Sequence, residues 1–228
     1  MFCRMIARLS QLSEVAEPTA FHQFLRVLDE RRRLLRVYTQ NIDALEEKSG
    51  ITFGVPGAAS KGISRGSKAS AHAGTAPAKE LPPDIIHHDE PSTNPAPSPP
   101  TETPTCIPLH GTIQLMHCMA CTSSYRLCDY MDSLVSGILP DCPQCTALEE
   151  IRRRLGKRPH SIGKLRPSVV LYDEEHKDGE VVGQVVQKDL SECLRGKGRR
   201  GADLLLVVGT SLRVSGTKRL VREFSQAV

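Results

Sequence analysis

The amino-acid sequence predicts an α/β protein with a small zinc-binding module and a long disordered insertion. Segments with helical periodicity alternate with short apolar runs of strand length, as expected when helices cover a mostly parallel sheet. Two Cys-x-x-Cys pairs lie in the second half of the chain. A stretch rich in Pro, Ser and Ala separates two parts of the predicted sheet.

Composition and charge narrow the class of protein. Eight cysteines, four of them at metal-ligand spacing, and no recognisable signal peptide predict a soluble protein of a reducing compartment. The formal charge of +4 arises from 30 Lys and Arg against 26 Asp and Glu. Its basic clusters favour solvated surface over a nucleic-acid footprint, so direct nucleic-acid binding is not expected. The longest apolar run, residues 204–208, is too short to span a bilayer, and no membrane partner is expected.

Two helices are predicted at the start of the chain. A helix over residues 3–15 with one buried stripe is predicted by the spacing of Met5, Ile6, Leu9 and Leu12. A second helix, from Pro18 to about Arg31, is predicted by the repeat of Phe21, Phe24, Leu25 and Leu28. Residues 34–38 then have strand length and lead into the polar segment TQNID.

The TQNID segment, residues 39–43, has two interpretations. Loops that leave the carboxyl ends of parallel strands form a ligand crevice, where amide and carboxylate side chains can hydrogen-bond a ribose or a carboxamide. Alternatively, Asn41 or Asp43 caps a short helix over residues 44–48. The residues alone leave both interpretations open.

Residues 51–104 lose all apolar periodicity and are dominated by Pro, Ser, Ala, Thr and Gly. Because so few large apolar side chains cannot offset the entropy of an ordered backbone, the segment is predicted to be disordered. It contains His72, His87 and His88, for which solvated linker residues are favoured over a weak metal site.

The predicted sheet resumes with a short strand at residues 107–109 that ends at His110 and Gly111. A histidine at the carboxyl end of a strand is a candidate general base, because imidazole titrates near neutral pH. The alternatives are a metal ligand or a buried, hydrogen-bonded histidine.

The two Cys-x-x-Cys pairs predict a structural zinc site. The ligands would be Cys118, Cys121, Cys142 and Cys145. Each pair directs two thiolates toward one point, and the two pairs complete a tetrahedron around Zn²⁺. Since no position is open for water, the site is predicted to be structural and not catalytic. His117 is a competing ligand, but four cysteines already fill the coordination shell.

The remainder of the chain continues the α/β pattern. A strand over residues 168–172 and a helix over residues 180–194 are predicted. Residues 196–201 fit G-x-G-x-x-G, but a helix precedes them and a strand follows, which is the reverse of the dinucleotide-binding order. We therefore do not expect this segment to bind a cofactor.

A central parallel strand, covered on both faces, is predicted for residues 203–208 (DLLLVV). It is followed by Gly209, Thr210 and Ser211, where glycine permits close approach and the hydroxyls can bind ribose or phosphate oxygens. A last helix is predicted from residue 216 to the end of the chain.

Several of these segments occur in the order found in sirtuins. They are TQNID, LHG at residues 109–111, the two zinc knuckles, RPSVVLY at residues 166–172 and DLLLVVGTSL at residues 203–212. The chain therefore resembles the sirtuins, which are NAD-dependent protein-lysine deacylases, and is most similar to the fungal nuclear branch that acts on histones. The resemblance covers residues 2–50 and 105–228. It implies a Rossmann-like parallel sheet, NAD and structural Zn²⁺ as cofactors, an acetylated protein such as a histone as partner, and a nuclear role in chromatin silencing.

The resemblance also assigns roles to individual residues. Contacts with the nicotinamide ribose and carboxamide would fall to Gln40, Asn41, Ile42 and Asp43, and contacts with the adenosine side to Gly209, Thr210 and Ser211. His110 would be the base toward a ribose hydroxyl, in a reaction that moves acetyl from lysine to ADP-ribose and releases nicotinamide. The substrate peptide would pair with the strand after Arg166 and Pro167, which places Val170 and Leu171 beside the acyl-lysine tunnel.

The chain also departs from the sirtuin pattern. Sirtuins begin with a GAG motif and a GIPDFR-like segment, and neither is present. The comparison implies that the first βα unit is missing and that the chain is truncated at both ends, a partial form with weak activity or none. Asp173 stands where sirtuins usually have a glycine, in a turn expected to need positive φ. The alternative function is a zinc-ribbon module that binds chromatin or nucleic acid without catalysis.

These predictions divide the chain into four parts. They are residues 1–50, the first part of the Rossmann-like NAD-binding domain; residues 51–104, the insertion; residues 105–111 with 156–228, the remainder of that domain; and residues 112–155, the zinc module.

Overall fold

A computed structural model describes residues 1–57, 103–195 and 201–228 of the chain. The helices are α1 (Phe2–Val15), α2 (Ala20–Glu30), α3 (Leu45–Lys48), α4 (Met131–Val135), α5 (Pro143–Arg154), α6 (Gly179–Arg195) and α7 (Ser215–Ala227). The strands are β1 (Val37–Thr39), β2 (Cys106–Pro108), β3 (Gly111–Cys118), β4 (Ser124–Arg126) and β5 (Leu165–Val169). The histidines at 72, 87 and 88 and the glycine-rich residues 196–200 lie outside the described residues.

Two small sheets organise the described residues. β1 and β2 pair in parallel, with Val37 opposite Cys106, so the polar segments that follow both strands leave the same edge. β4, β3 and β5 form an antiparallel sheet in that order. The parallel pair with its surrounding helices confirms the predicted α/β class.

The largest buried cluster joins α1 to the region of the zinc ligands. Ile6, on α1, and Met116, on β3, are 1% and 0% exposed and belong to one cluster with Cys118 and Cys142. A second cluster contains Leu25, Ile51 and Cys106. In a third, Val182 and Val185 of α6 pack on Ile107 of β2.

The buried face of α1 differs from the predicted stripe. Its buried residues are Cys3, Ile6, Ala7 and Ser10. Of the predicted stripe only Ile6 is buried, whereas Met5, Leu9 and Leu12 are 38–50% exposed. The prediction selected the largest apolar residues, but the helix packs its small residues against the core, where they allow close approach.

Two predicted strands also need correction. Residues 203–208 form no strand in the structure, and Leu204 and Val208 are 70% and 57% exposed, so this segment is not a covered central strand. The strand predicted at residues 168–172 lies at Leu165–Val169 and runs antiparallel to β3. An apolar run indicates strand propensity, but strand direction depends on a partner distant in the sequence.

The fold extends into the first residues of the predicted insertion. Ile51 is 2% exposed, and Phe53 forms a parallel bridge with Cys106 beside β2. Ile51 is thus buried and Phe53 half-buried, and the described fold continues a few residues past the boundary predicted at residue 51. No helix among the described residues is long and apolar enough to cross a bilayer.

Candidate functional site

The four predicted zinc ligands converge. The sulfur atoms of Cys118, Cys121, Cys142 and Cys145 all lie within 4.8 Å of one another. The Cys118–Cys145 and Cys121–Cys142 sulfur distances are 3.7 and 3.6 Å. Tetrahedral Zn²⁺ with bonds of about 2.3 Å requires sulfur atoms about 3.8 Å apart, so this group fits a closed zinc site.

Gly163 lies between the two cysteine pairs and contacts both of them. Cys118 ends β3, and Cys142 lies directly before α5, whose first residue is Pro143. The Cys142 N–H donates to the Gly163 carbonyl oxygen at 2.8 Å. A Cβ atom at Gly163 would lie 2.5 Å from the Cys118 sulfur, so only glycine fits beside the metal site.

His117 does not belong to the sulfur group. Its ring Nδ1 lies 3.0 Å from the Ser168 hydroxyl on the neighbouring strand β5. Burial lowers the pKa of His117, and the nearby Lys177 and Arg166 lower it further. The structure is consistent with a metal site made by four cysteines alone.

The candidate catalytic residue lines a cavity of about 510 Å³, called here the histidine cavity. Its walls come from α1, the TQNID segment, the start of β3 and the end of β5. The polar lining residues predicted from the sequence are Gln40, Asn41, Asp43 and His110, and Ile42 also contributes. Sequence segments about 70 residues apart therefore meet at one cavity, because β1 and β2 are parallel neighbours.

The hydrogen bond of His110 defines its tautomer. His110 Nδ1 lies 3.1 Å from the backbone carbonyl oxygen of Gln40. A carbonyl oxygen only accepts, so Nδ1 carries the proton, and Nε2 of the neutral imidazole is the proton acceptor. His110 can therefore be a hydrogen-bonded residue and a general base at the same time, although from the sequence alone these two roles were alternatives.

Gly111 allows the chain to turn directly after His110. Its φ is +77°, and a Cβ atom there would lie 2.0 Å from the Ser168 carbonyl oxygen. The Val170 N–H donates to the His110 carbonyl oxygen at 3.0 Å. Close backbone approach at Gly111 therefore sets the position of His110 against β5.

The side chain of Gln40 connects the TQNID segment to the C-terminal part of the chain. Its Nε2 donates to the Thr217 hydroxyl of α7, and its Oε1 accepts from the Thr210 hydroxyl at 2.9 Å. Both ends of this amide are thus used within the protein. Gln40 instead contributes to the histidine cavity through its backbone carbonyl oxygen, which hydrogen-bonds to His110.

Asp43 is not the helix cap that one interpretation of the TQNID segment predicted, because the N-cap residue of α3 is Ala44 and no side chain caps this helix. Its Oδ1 accepts from the Leu45 N–H at 3.3 Å, a turn contact with the residue two positions along the chain. The same residue lines the histidine cavity. Its backbone carbonyl accepts a hydrogen bond of 2.6 Å from Ser13 of α1, which fixes that helix against the cavity.

Not every predicted ligand contact is placed at the histidine cavity. Gly209 and Ser211 are exposed and line neither of the two cavities described here. Val170 lines the histidine cavity, whereas Leu171 is 41% exposed and lines neither cavity.

A second cavity of about 370 Å³ is also lined by residues of β5. Val169 and Val170 line both cavities. Phe53 and Pro104, at the two ends of the insertion, also line the second cavity.

The sequence interpretation missed the α1 side of the histidine cavity and the contact made by α7. Leu9, Leu12 and Ser13 line the cavity, and Thr217 binds Gln40. The apolar side of α1 was recognised but assigned wholly to the core. The Thr217 contact has no local sequence signal, because 177 residues separate it from Gln40.

The fold and the site define a sirtuin. A sequence model of the Sir2 family matches residues 1–58 and 101–216, and the chain belongs to this family. The prediction made from the ordered motifs is confirmed.

Fungal relatives match over the whole chain. NAD-dependent histone deacetylase HST4 of Saccharomyces cerevisiae is 31% identical over 234 residues, covering 100% of this chain and 50% of the relative. NAD-dependent protein deacetylase hst4 of Schizosaccharomyces pombe is 35% identical over 230 residues, covering 100% of this chain and 43% of the relative. The chain thus spans about half the length of the curated relatives it matches.

Solved structures support the fold. A structure of Sir2Tm bound to a propionylated peptide has a TM-score of 0.54 at 19% identity, covering 97% of this chain and 62% of the other. A Sir2 complex with a p53 peptide and NAD⁺ has a TM-score of 0.53 at 18% identity, covering 96% of this chain and 57% of the other.

Proposed function

We propose that the protein acts as an NAD-dependent protein-lysine deacetylase. The observation that carries this proposal is the hydrogen bond from His110 Nδ1 to the Gln40 backbone carbonyl, which leaves Nε2 as a base in the cavity that Asn41 and Asp43 also line. An amide, a carboxylate and an imidazole around one cavity suit a ligand with a carboxamide and ribose hydroxyls. When bound, NAD would supply the ADP-ribose group that accepts the acetyl group as nicotinamide leaves.

The residues around the cavity would divide the remaining tasks. His110 would accept a proton from a ribose hydroxyl at Nε2, and Asn41 would hydrogen-bond the carboxamide or ribose. Gln40 would keep His110 in the required tautomer through its carbonyl oxygen. Val170 and Ile42 would supply apolar walls that exclude water from the reacting groups. The zinc site would hold β3 and α5 together without contacting the reaction.

The proposed substrate is an acetylated lysine in a histone, and the proposed location is the nucleus. Support comes from the fungal relatives, one of which is named a histone deacetylase. We propose that the peptide adds as an extended strand near Val170 and Leu171, and that Gly209, Thr210 and Ser211 contact the adenosine side of NAD. A zinc module without catalysis is not favoured, because the family match includes the segments that line the histidine cavity.

The test combines NAD calorimetry with nicotinamide release from an acetylated histone-tail peptide, using the full chain. We expect NAD binding, and His110→Ala should reduce turnover about 100-fold or more, as expected for loss of a general base. His160→Ala is the matched control, since His160 is an exposed histidine outside the cavity and should retain activity. A chain that neither binds NAD nor releases nicotinamide would contradict the proposal.

A further inference from the structure

Two sulfur atoms of the zinc site, those of Cys118 and Cys142, receive different kinds of hydrogen bond. Cys118 accepts from the backbone N–H groups of Ala120 at 3.3 Å and Cys121 at 3.4 Å, both within its own turn. Cys142 instead lies 3.5 Å from the hydroxyl oxygen of Tyr125, a residue of β4. Tyr125 is 1% exposed, so its hydroxyl is removed from bulk water.

The direction of the Tyr125 hydrogen bond follows from its second contact. The Gln144 backbone N–H donates to the Tyr125 hydroxyl oxygen at 3.3 Å. A thiolate that binds zinc has no proton to donate, so in the metal-bound protein the Tyr125 hydroxyl must donate to Cys142. The hydroxyl thus joins β4, the first turn of α5 and one zinc ligand.

We propose that Tyr125 is a positioning residue of the zinc site, which holds the Cys142 thiolate through an O–H···S hydrogen bond. Four thiolates around one divalent cation carry a net negative charge, and a buried hydroxyl that donates to one of them stabilises that charge. Because the site around Tyr125 is buried, water does not readily replace the hydroxyl when it is removed.

The neighbouring Tyr130 provides a matched comparison. Its ring lies 6.0 Å from that of Tyr125 at 83°, an edge-to-face contact. Its buried hydroxyl has no hydrogen-bond partner among the described residues. The two tyrosines pack in the same cluster, but of the two only Tyr125 has a hydroxyl that hydrogen-bonds to a zinc ligand.

The test compares Tyr125→Phe with Tyr130→Phe in the full chain. The first readout is competition for zinc with a chromogenic chelator, and the second is the sulfur-to-metal absorption band of the Co²⁺-substituted protein. Tyr125→Phe should weaken zinc affinity about 10–100-fold and move the Co²⁺ band to longer wavelength, because the sulfur loses a hydrogen bond. Tyr130→Phe should match the wild type in both measurements.

Three outcomes would overturn the inference. One is a wild-type zinc affinity and Co²⁺ band in Tyr125→Phe. Another is a Tyr125→Phe chain that stays unfolded in saturating zinc while Tyr130→Phe folds, because excess metal should offset a weaker site. The third is a wild-type chain that takes up no metal by elemental analysis, which would remove the zinc site itself and leave the proposed NAD chemistry untouched.

Discussion

At the scale of single residues, positive backbone φ angles mark where the chain is most constrained. Gly111 has φ +77° and no room for a Cβ atom, and Asp173 has φ +61° in the turn after β5. The second angle confirms that this turn needs positive φ, as expected from the glycine found there in sirtuins. Asp tolerates this region better than most residues, although glycine adopts it without strain.

Gly111→Ala should strongly destabilise the protein. The added Cβ would clash with the Ser168 carbonyl oxygen at 2.0 Å and oppose the positive φ. We expect the free energy of unfolding in urea to fall by about 3 kcal/mol or more. The control is Gly183→Ala on the exposed side of α6, where no atom lies within 4 Å of the added Cβ. Alanine is the better helix former, so this substitution should raise the free energy of unfolding by about 0.5–1 kcal/mol. Equal effects of the two variants would contradict the explanation.

Asp173→Gly should stabilise the protein slightly. Glycine adopts the positive φ without strain, but it also makes the unfolded chain more flexible. Because the first contribution to the free energy is larger than the second, the free energy of unfolding should rise by about 0.5 kcal/mol. Asp132→Gly, in the first turn of α4, should instead lower the free energy of unfolding by about 0.5–1 kcal/mol, because glycine is a poorer helix former and the favourable charge at the helix N-terminus is lost. Urea denaturation of both variants measures the signs, and a loss of stability in Asp173→Gly would refute the prediction.

At the scale of elements, one buried ion pair connects β1 with α6. Arg36 donates from Nε to Asp189 Oδ2 at 2.7 Å and from Nη2 to Oδ1 at 3.1 Å. The Tyr38 hydroxyl donates to the same carboxylate at 2.7 Å. Burial, followed by the Asp189 contact, raises the pKa of Tyr38. Arg36 also donates to the carbonyl oxygens of Thr103 and Pro104, where the chain returns from the insertion.

Asp189→Ala, which removes the carboxylate, should strongly destabilise the protein. Arg36 and Asp189 side chains are only 13% and 3% exposed, so Asp189→Ala leaves a buried guanidinium without its counter-ion. The free energy of unfolding should fall by about 3–5 kcal/mol. Glu30→Ala removes an exposed ion pair with Arg26, 58% and 51% exposed, and should change stability by less than about 0.5 kcal/mol. Comparable losses in both variants would contradict the assigned role.

Local sequence patterns predicted the elements better than their pairing. Helical periodicity located α1, α2, α6 and α7. The antiparallel pairing of β5 with β3 and the exposure of residues 203–208 depend on contacts that no local pattern encodes.

The zinc ligands followed from their spacing, because each Cys-x-x-Cys pair is local. The meeting of His110 with the TQNID segment was expected because polar loops after parallel strands share one crevice, and the order of the family motifs supported it. The contact of Gln40 with Thr217 had no sequence signal, because it joins distant elements.

At the scale of the whole molecule, the zinc site shares its core with α1. Cys118 and Cys142 belong to the same buried cluster as Ile6 and Ala7. The zinc module and the first helix are therefore expected to unfold together, although the sequence placed them in different domains.

Chelation of zinc should remove hydrogen-exchange protection from α1 as well as from β3, β4 and α5. α6 packs in a different cluster with Ile107 and should retain more protection. Exchange followed by mass spectrometry measures the two regions separately. Cys145→Ser should reproduce the loss, whereas Cys128→Ser, an exposed cysteine outside the sulfur group, should not. If α1 retained its hydrogen-exchange protection after zinc removal, the shared core would not couple the unfolding of α1 to that of the zinc module.

The anchoring of both ends of the insertion has a consequence for how the gene can vary. Thr52 and Thr105 are hydrogen-bonded, and Phe53 forms a parallel bridge with Cys106, so the two ends of the connection lie beside each other. A connection between two parallel strands requires about a dozen residues, fewer than residues 58–102 provide. Shortening this stretch to that length should change stability by only about 1 kcal/mol. Insertions and deletions there should accumulate freely, while the threonines at either end are retained.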